Sequence, residues 1–144
     1  MKINSLFAPP PNSGTANLAL LVLRVWLGLA MLLIHGWDKA MHFNNLKHDF
    51  PEPLHIGSPA NLALAIFAEV VCSALLAVGF VTRFAALVLA IEVGVAFVLV
   101  HQMKLTGEHS GELAFIYLAG YAAILIAGPG RLSVDGFVFG KKAG

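Results

Sequence analysis

Arg24, Glu69 and Glu92 each lie deep inside a different long apolar stretch of this chain. A buried cation with two carboxylates can hold an anion or a carbonyl and move a proton. Left alone near the centre of a bilayer, each group would cost about 2.5–3.5 kcal/mol, so all three are expected to face inward and toward one another. Counted at ~1.5 Å per residue from one membrane surface, Arg24 and Glu92 lie about 12 Å deep and Glu69 about 18 Å. One arginine neutralises one carboxylate. The other is then protonated, or poised to exchange a proton near neutrality. The plainer alternative is an Arg–Glu pair that only fixes helix register, with the second glutamate a neutral hydrogen-bond partner.

Helical periodicity adds a second tier. At about 100° per residue, Arg24, Gly28, Met31, His35 and Lys39 fall within a stripe roughly 60° wide, running from mid-membrane to the surface. His101 and Glu112 reach the same boundary as His35. The expected site is a pocket with Glu69, Glu92 and His35 as proton-handling groups and Arg24, Lys39, His101 and Glu112 as ligand-binding groups. One difficulty is that Glu92 and His101, nine residues apart, lie about 180° from each other on a straight helix. Either that helix bends or the two serve different surfaces; His35 and His101 could also simply be interfacial residues.

Metal chemistry finds less support. His35 with His101 could clamp a haem, and His109 with Glu112 could offer two ligands on one turn, but the paired Glu-x-x-His elements of a di-iron bundle are absent. No metal site is expected. The single cysteine, Cys72, excludes an internal disulfide or a Cys-x-x-Cys redox pair and reads as a small core hydrophobe.

The elements that must position these groups follow from composition. The chain has 144 residues, 58% of them hydrophobic and 12% charged, against about 25% charged in soluble domains. Four apolar runs, 16–35, 60–81, 84–103 and 112–127, each approach the ~20 residues that cross a bilayer. Because lipid offers backbone amides no partner, each run is expected to be helical. The expectation is an all-α integral membrane four-helix bundle over 16–136, with tails at 1–15 and 137–144. The first run carries Arg24 and lacks a small-x-small cleavage site, so it reads as a retained helix rather than a signal peptide. Lys2, Arg83, Arg131, Lys141 and Lys142 fall on one side and Lys39, Lys47 and Lys104 on the other, favouring cytoplasmic termini. The outward 36–59 loop, with three histidines and three prolines, could fold over the bundle mouth as a lid or remain a solvated connector. Residues 8–14 read as loosely ordered. A net charge of +1 gives no reason to invoke nucleic acid. Small-residue faces, Ala85, Ala86, Gly94 and Ala96 on the third helix and Ala119, Gly120 and Ala123 on the fourth, permit close contact within one chain or in a homo-oligomer.

The tail Gly128-Pro129-Gly130 stops the fourth helix. Arg131 and Asp135, four residues apart, are expected to cap a short amphipathic segment against the inner leaflet.

Taken together, Arg24, the element His35-Gly36-Trp37-Asp38-Lys39, Ala68-Glu69, the turn Gly79-Phe80-Val81-Thr82-Arg83, His101, Gly111-Glu112-Leu113 and the tail Gly128-Pro129-Gly130-Arg131-Leu132-Ser133-Val134-Asp135 resemble the DoxX family. Val134 stands where the tail of the family usually has leucine. The resemblance implies a multi-pass four-helix protein of a bacterial-type inner membrane, in a family named after a subunit of a thiosulfate:quinone oxidoreductase. It carries over Arg24, His35, Lys39, Glu69, His101 and Glu112 as site candidates; Glu92 comes from burial alone. Three functions follow as expectations. The first is an oxidoreductase, or a subunit of one, with a pocket for a quinone or a small thiol or sulfur compound; with no cofactor motif in the chain, its electrons come from a redox partner protein. The others are a non-catalytic membrane anchor or assembly factor of a redox complex, and a proton-coupled carrier of a small solute.

Overall fold

The structure is a computed structural model that describes residues 14–140. Residues 1–13 of the expected N-terminal tail and 141–144 of the expected C-terminal tail, with the basic residues Lys2, Lys141 and Lys142, lie outside the described residues. Those described form helices α1 (Gly14–Met41), α2 (Phe43–Leu46), α3 (Ser58–Val78), α4 (Thr82–Val100), α5 (Glu112–Ala127) and α6 (Val134–Phe139), with no strand among them. Three of these, α1, α3 and α4, are long and apolar enough to cross a membrane; α5 is equally apolar but has 16 residues.

Helix α1 packs mainly on α3, and α4 on α5. Two glycines make the first pairing close. A Cβ at Gly28 would stand 2.8 Å from the Ser73 carbonyl, and one at Gly36 would stand 2.7 Å from the backbone of Glu69. Backbone cannot yield as a side-chain end can, so these glycines set the α1–α3 distance. Between them lies a core of Met31, Cys72, Leu76, Leu89, Tyr121 and Ile124. Ala85 and Ala86 are fully buried in it and Gly120 lies against Leu27, so these small residues serve contacts inside the chain. The outer surface is apolar as well: Trp26 is 74% and Ile126 81% exposed, a pattern suited to lipid rather than water.

At one end of the bundle, charges are matched to helix termini. Gly79, at φ 76°, closes α3 in a Schellman turn, with Phe80 N–H donating to the Leu75 carbonyl and Gly79 N–H to that of Leu76. Arg24 crosses from α1 to donate to the carbonyls of Leu76 (3.1 Å), Ala77 (3.2 Å) and, in the tail, Leu132 (2.6 Å). Asp135 accepts from the N–H groups of Val81 (2.9 Å) and Thr82 (2.8 Å), capping α4 from across the sequence. Arg83 likewise donates to the last carbonyls of α5, at Leu125 (3.2 Å) and Ile126 (3.4 Å). Cations thus sit at C-termini and a carboxylate at an N-terminus, where the helix dipoles favour them. Asp135 also receives the N–H of Val81, a β-branched residue held at φ 45°. The tail therefore clamps the α3–α4 turn, and the expected Arg131–Asp135 capping is replaced by this longer-range arrangement. Ser133 caps α6 instead, accepting from Gly136 N–H at 2.9 Å.

Candidate functional site

Toward the opposite end, each long helix widens into a π segment: Met31–Gly36 in α1, Phe67–Cys72 in α3 and Ala96–Val100 in α4. Hydrogen bonds there span five residues, as from Trp37 N–H to the Leu32 carbonyl and from His101 N–H to that of Ala96 (2.9 Å). Such wide turns concentrate at functional sites because they redirect side chains. His35 lies in the first, Glu69 in the second, and His101 directly follows the third. The π segment of α4 also resolves the Glu92–His101 difficulty. One extra residue in the turn removes roughly 100° from the expected half-circle, bringing both side chains toward one cavity.

Gly36 rests on the backbone of Glu69, which places Lys39, three residues later, beside that glutamate. Lys39 Nζ donates to both carboxylate oxygens at 2.7 Å, with the two side chains 23% and 5% exposed. The Glu92 carboxyl lines the same cavity and lies close to that of Glu69. Its Oε2 and the Tyr121 hydroxyl are buried without a partner, leaving polar capacity beside the pair. Tyr121 stacks on Tyr117 (5.8 Å between ring centres), and Tyr117 meets the edge of His35 (5.9 Å).

All of these but Tyr121, which lies in the core behind Tyr117, border a cavity of ≈ 650 Å³, of the size that holds a small organic ligand. Its walls are mostly apolar, with Met31, Ala68, Val93 and Leu113 among them, and its polar groups include His35, Lys39, Glu69, Glu92 and His101. The expected 36–59 loop is partly helical, because α1 runs on to Met41 and α2 follows; Phe50, Pro51, Pro53 and Leu54, in the stretch between α2 and α3, line the cavity from outside the long helices. The loop is latched where Leu54 N–H donates to Asn61 Oδ1 (3.3 Å), and Asn61 Nδ2 in turn donates to the Gly57 carbonyl (2.9 Å). His101 is fixed by a hydrogen bond between its Nδ1 and the His109 carbonyl (3.0 Å).

Five of the seven sequence candidates therefore meet in one cavity: His35, Lys39, Glu69, Glu92 and His101. Arg24 does not. It is fully buried at the capped end, bonded to carbonyls, and Lys39 takes the expected role of neutralising a glutamate. Glu112 is exposed at the start of α5 and does not line the cavity; its N–H donates to Ser110 Oγ (3.1 Å), and Ser110 does line it. His42 pairs with exposed Asp38 (3.0 Å) rather than joining the site. Tyr117, Tyr121 and Asn61 are additions. The two tyrosines are the chain's only ones and stand four residues apart, a helical spacing that marks one face. Among the described residues, no group of three or more His, Cys, Asp or Glu side chains is arranged to hold a metal ion.

An all-helical chain whose long apolar helices enclose an ion-paired cavity belongs to the class of small helical membrane proteins. Within that class it is a member of the DoxX family, whose profile matches residues 19–102, more than half of the chain. The matched span holds Arg24, His35, Lys39, Glu69, Glu92 and His101 and stops before Glu112 and the tail. The chain is also 28% identical over 125 residues, covering 83% of each sequence, to an uncharacterized protein of Haemophilus influenzae. No solved structure matches it.

Proposed function

We propose that this protein is a redox-linked component of a bacterial-type inner membrane whose cavity binds a quinone or a small thiol or sulfur compound. The observation that carries the reading is the Lys39–Glu69–Glu92 cluster set in an apolar cavity: a cation, the counter-ion that it bonds, and a second acid beside them. In this reading α5 is a fourth crossing, with the termini on the cytoplasmic side, and a partner protein supplies the electrons. Reduction of a bound quinone consumes protons as well as electrons. Lys39 orients and polarises a carbonyl oxygen, while the neighbouring acids Glu69 and Glu92 pass a proton toward the ligand. His35 and His101 complete the polar rim. One cation is matched by one carboxylate, and a second acid beside them is disfavoured as an anion, so the cluster suits an uncharged carbonyl compound better than a free anion.

The test is an anaerobic UV–visible spectrum of the purified protein with and without quinol, together with solvent extraction and mass analysis for bound quinone. A bound quinone, or a redox-dependent band, that disappears in Glu69→Gln supports the reading. A featureless spectrum with no extracted ligand refutes it and leaves the anchor or assembly role, with the chemistry in a partner.

A further inference from the structure

The cavity has two kinds of boundary, and they differ in what they admit. Toward the aqueous loops it is roofed by Phe50, Pro51, Pro53 and Leu54, held down by the Leu54–Asn61 hydrogen bond. Sideways, it is bordered by Leu64 and Phe67 on α3 and Ile91 on α4. These residues line the cavity and are also 49%, 44% and 57% exposed on the outer face of the helices. Side chains that belong to both an interior wall and the outer surface frame an opening. Helices α3 and α4 pack closely from their shared turn up to the π segment of α3, whereas the Ser58–Ile66 part of α3 leans instead on the Trp37–Met41 and Phe43–Leu46 turns. The gap opens just beyond Glu69, along the Ser58–Ile66 part of α3, and its frame carries no charge.

From this we infer that the cavity is filled sideways from the bilayer through a portal between α3 and α4 framed by Leu64, Phe67 and Ile91, so that its ligand is a lipid-soluble molecule with an apolar tail. The head reaches Lys39, Glu69 and Glu92, and the tail remains in the portal among apolar side chains. A water-soluble thiol or sulfur anion would have to cross the loop roof. Passage through the portal would strip its hydration shell without offering a compensating hydrogen bond. The inference rests on the cavity being a ligand site but not on that ligand being redox-active, so it is tested without a quinone.

A cysteine reporter inside the cavity reads the route directly. In a Cys72→Ala background reconstituted in lipid nanodiscs, Ala65→Cys is exposed to N-dodecylmaleimide, which partitions into the bilayer, or to a sulfonated maleimide, which does not. Each rate is normalised to that of a cysteine introduced in the 104–110 loop. The expected result is labelling by the dodecyl reagent at least tenfold faster than by the sulfonated one, with a further tenfold or greater loss when Ile91→Trp narrows the portal. Ala68→Cys is the second reporter if Ala65→Cys does not accumulate. Comparable rates for the two reagents, a dodecyl rate unchanged within twofold by Ile91→Trp, or no labelling by either reagent in folded protein each overturn the portal. Loss of quinone binding with the portal result intact would refute only the choice of ligand.

Discussion

Lys39→Met leaves the Glu69 carboxylate, whose side chain is 5% exposed, without the cation that contacts both of its oxygens at 2.7 Å. Removing one partner of a buried pair strands the other, at a cost of about 3–5 kcal/mol. Lys39 is itself 23% exposed, so the pair is not fully desolvated and the lower end, about 3 kcal/mol, is expected. Glu69→Gln is milder, because Lys39 is 23% exposed and its long stem can carry the ammonium outward; about 1.5 kcal/mol is expected. Removing both charges together strands neither, and the double variant is expected to cost about 1.5 kcal/mol, some 3 kcal/mol less than the singles added together. Reversible unfolding in mixed detergent micelles, followed by tryptophan fluorescence, measures all three variants on one scale. If the single costs add within about 0.5 kcal/mol, the two side chains do not share a buried site and the account of the cavity fails.

Four further outcomes follow from the packing, the caps and the cavity. Gly36→Ala puts a methyl group against Glu69 backbone and is expected to cost about 1–3 kcal/mol and to abolish ligand retention. Gly120→Ala meets only the flexible end of Leu27 and should cost under about 1 kcal/mol; equal effects in the same unfolding assay would refute the α1–α3 contact as the determinant. Asp135→Ala removes the acceptor for two backbone N–H groups at the start of α4 and is expected to destabilise by about 3 kcal/mol. Asp135→Asn should lose roughly half of that, with faster amide exchange at Val81 and Thr82 as the local readout. Arg24→Met should lower stability by a similar amount while leaving extracted ligand per folded protein unchanged; a selective loss of ligand would return Arg24 to the binding site. Glu92→Gln should keep the fold and the Lys39–Glu69 pair but slow any proton-coupled step at least tenfold, measured as quinol oxidation with a chemical electron acceptor.

Much of the site was legible because burying charge in an apolar helix is expensive enough to demand an explanation. Glu69 and Glu92 stood out on that ground, and the spacing of His35 and Lys39 on one helical face joined them to the same region. Arg24 satisfied the same criterion for another reason. Helix C-termini in an apolar setting leave carbonyls without partners, and a guanidinium can answer them as well as it answers a carboxylate. Its expected role fell to Lys39, which periodicity placed among the ligand-binding groups at the pocket mouth and which the close approach at Gly36 brings beside Glu69. The Glu92–His101 relationship was illegible because periodicity assumes a uniform turn, and the π segment between them breaks it.

By itself, then, the sequence determined that the chain is helical and suited to a membrane, that it belongs to the DoxX pattern, and that acids would be buried near its middle. These follow from run length, composition and the cost of unpaired charge, which are local quantities. Tertiary structure decided which cation meets which anion. That depends on how near two backbones can approach, on where π turns rotate a helix face, and on a tail that returns to cap a distant turn. None of these is fixed by spacing along one helix, because each is a contact between segments that only packing brings together.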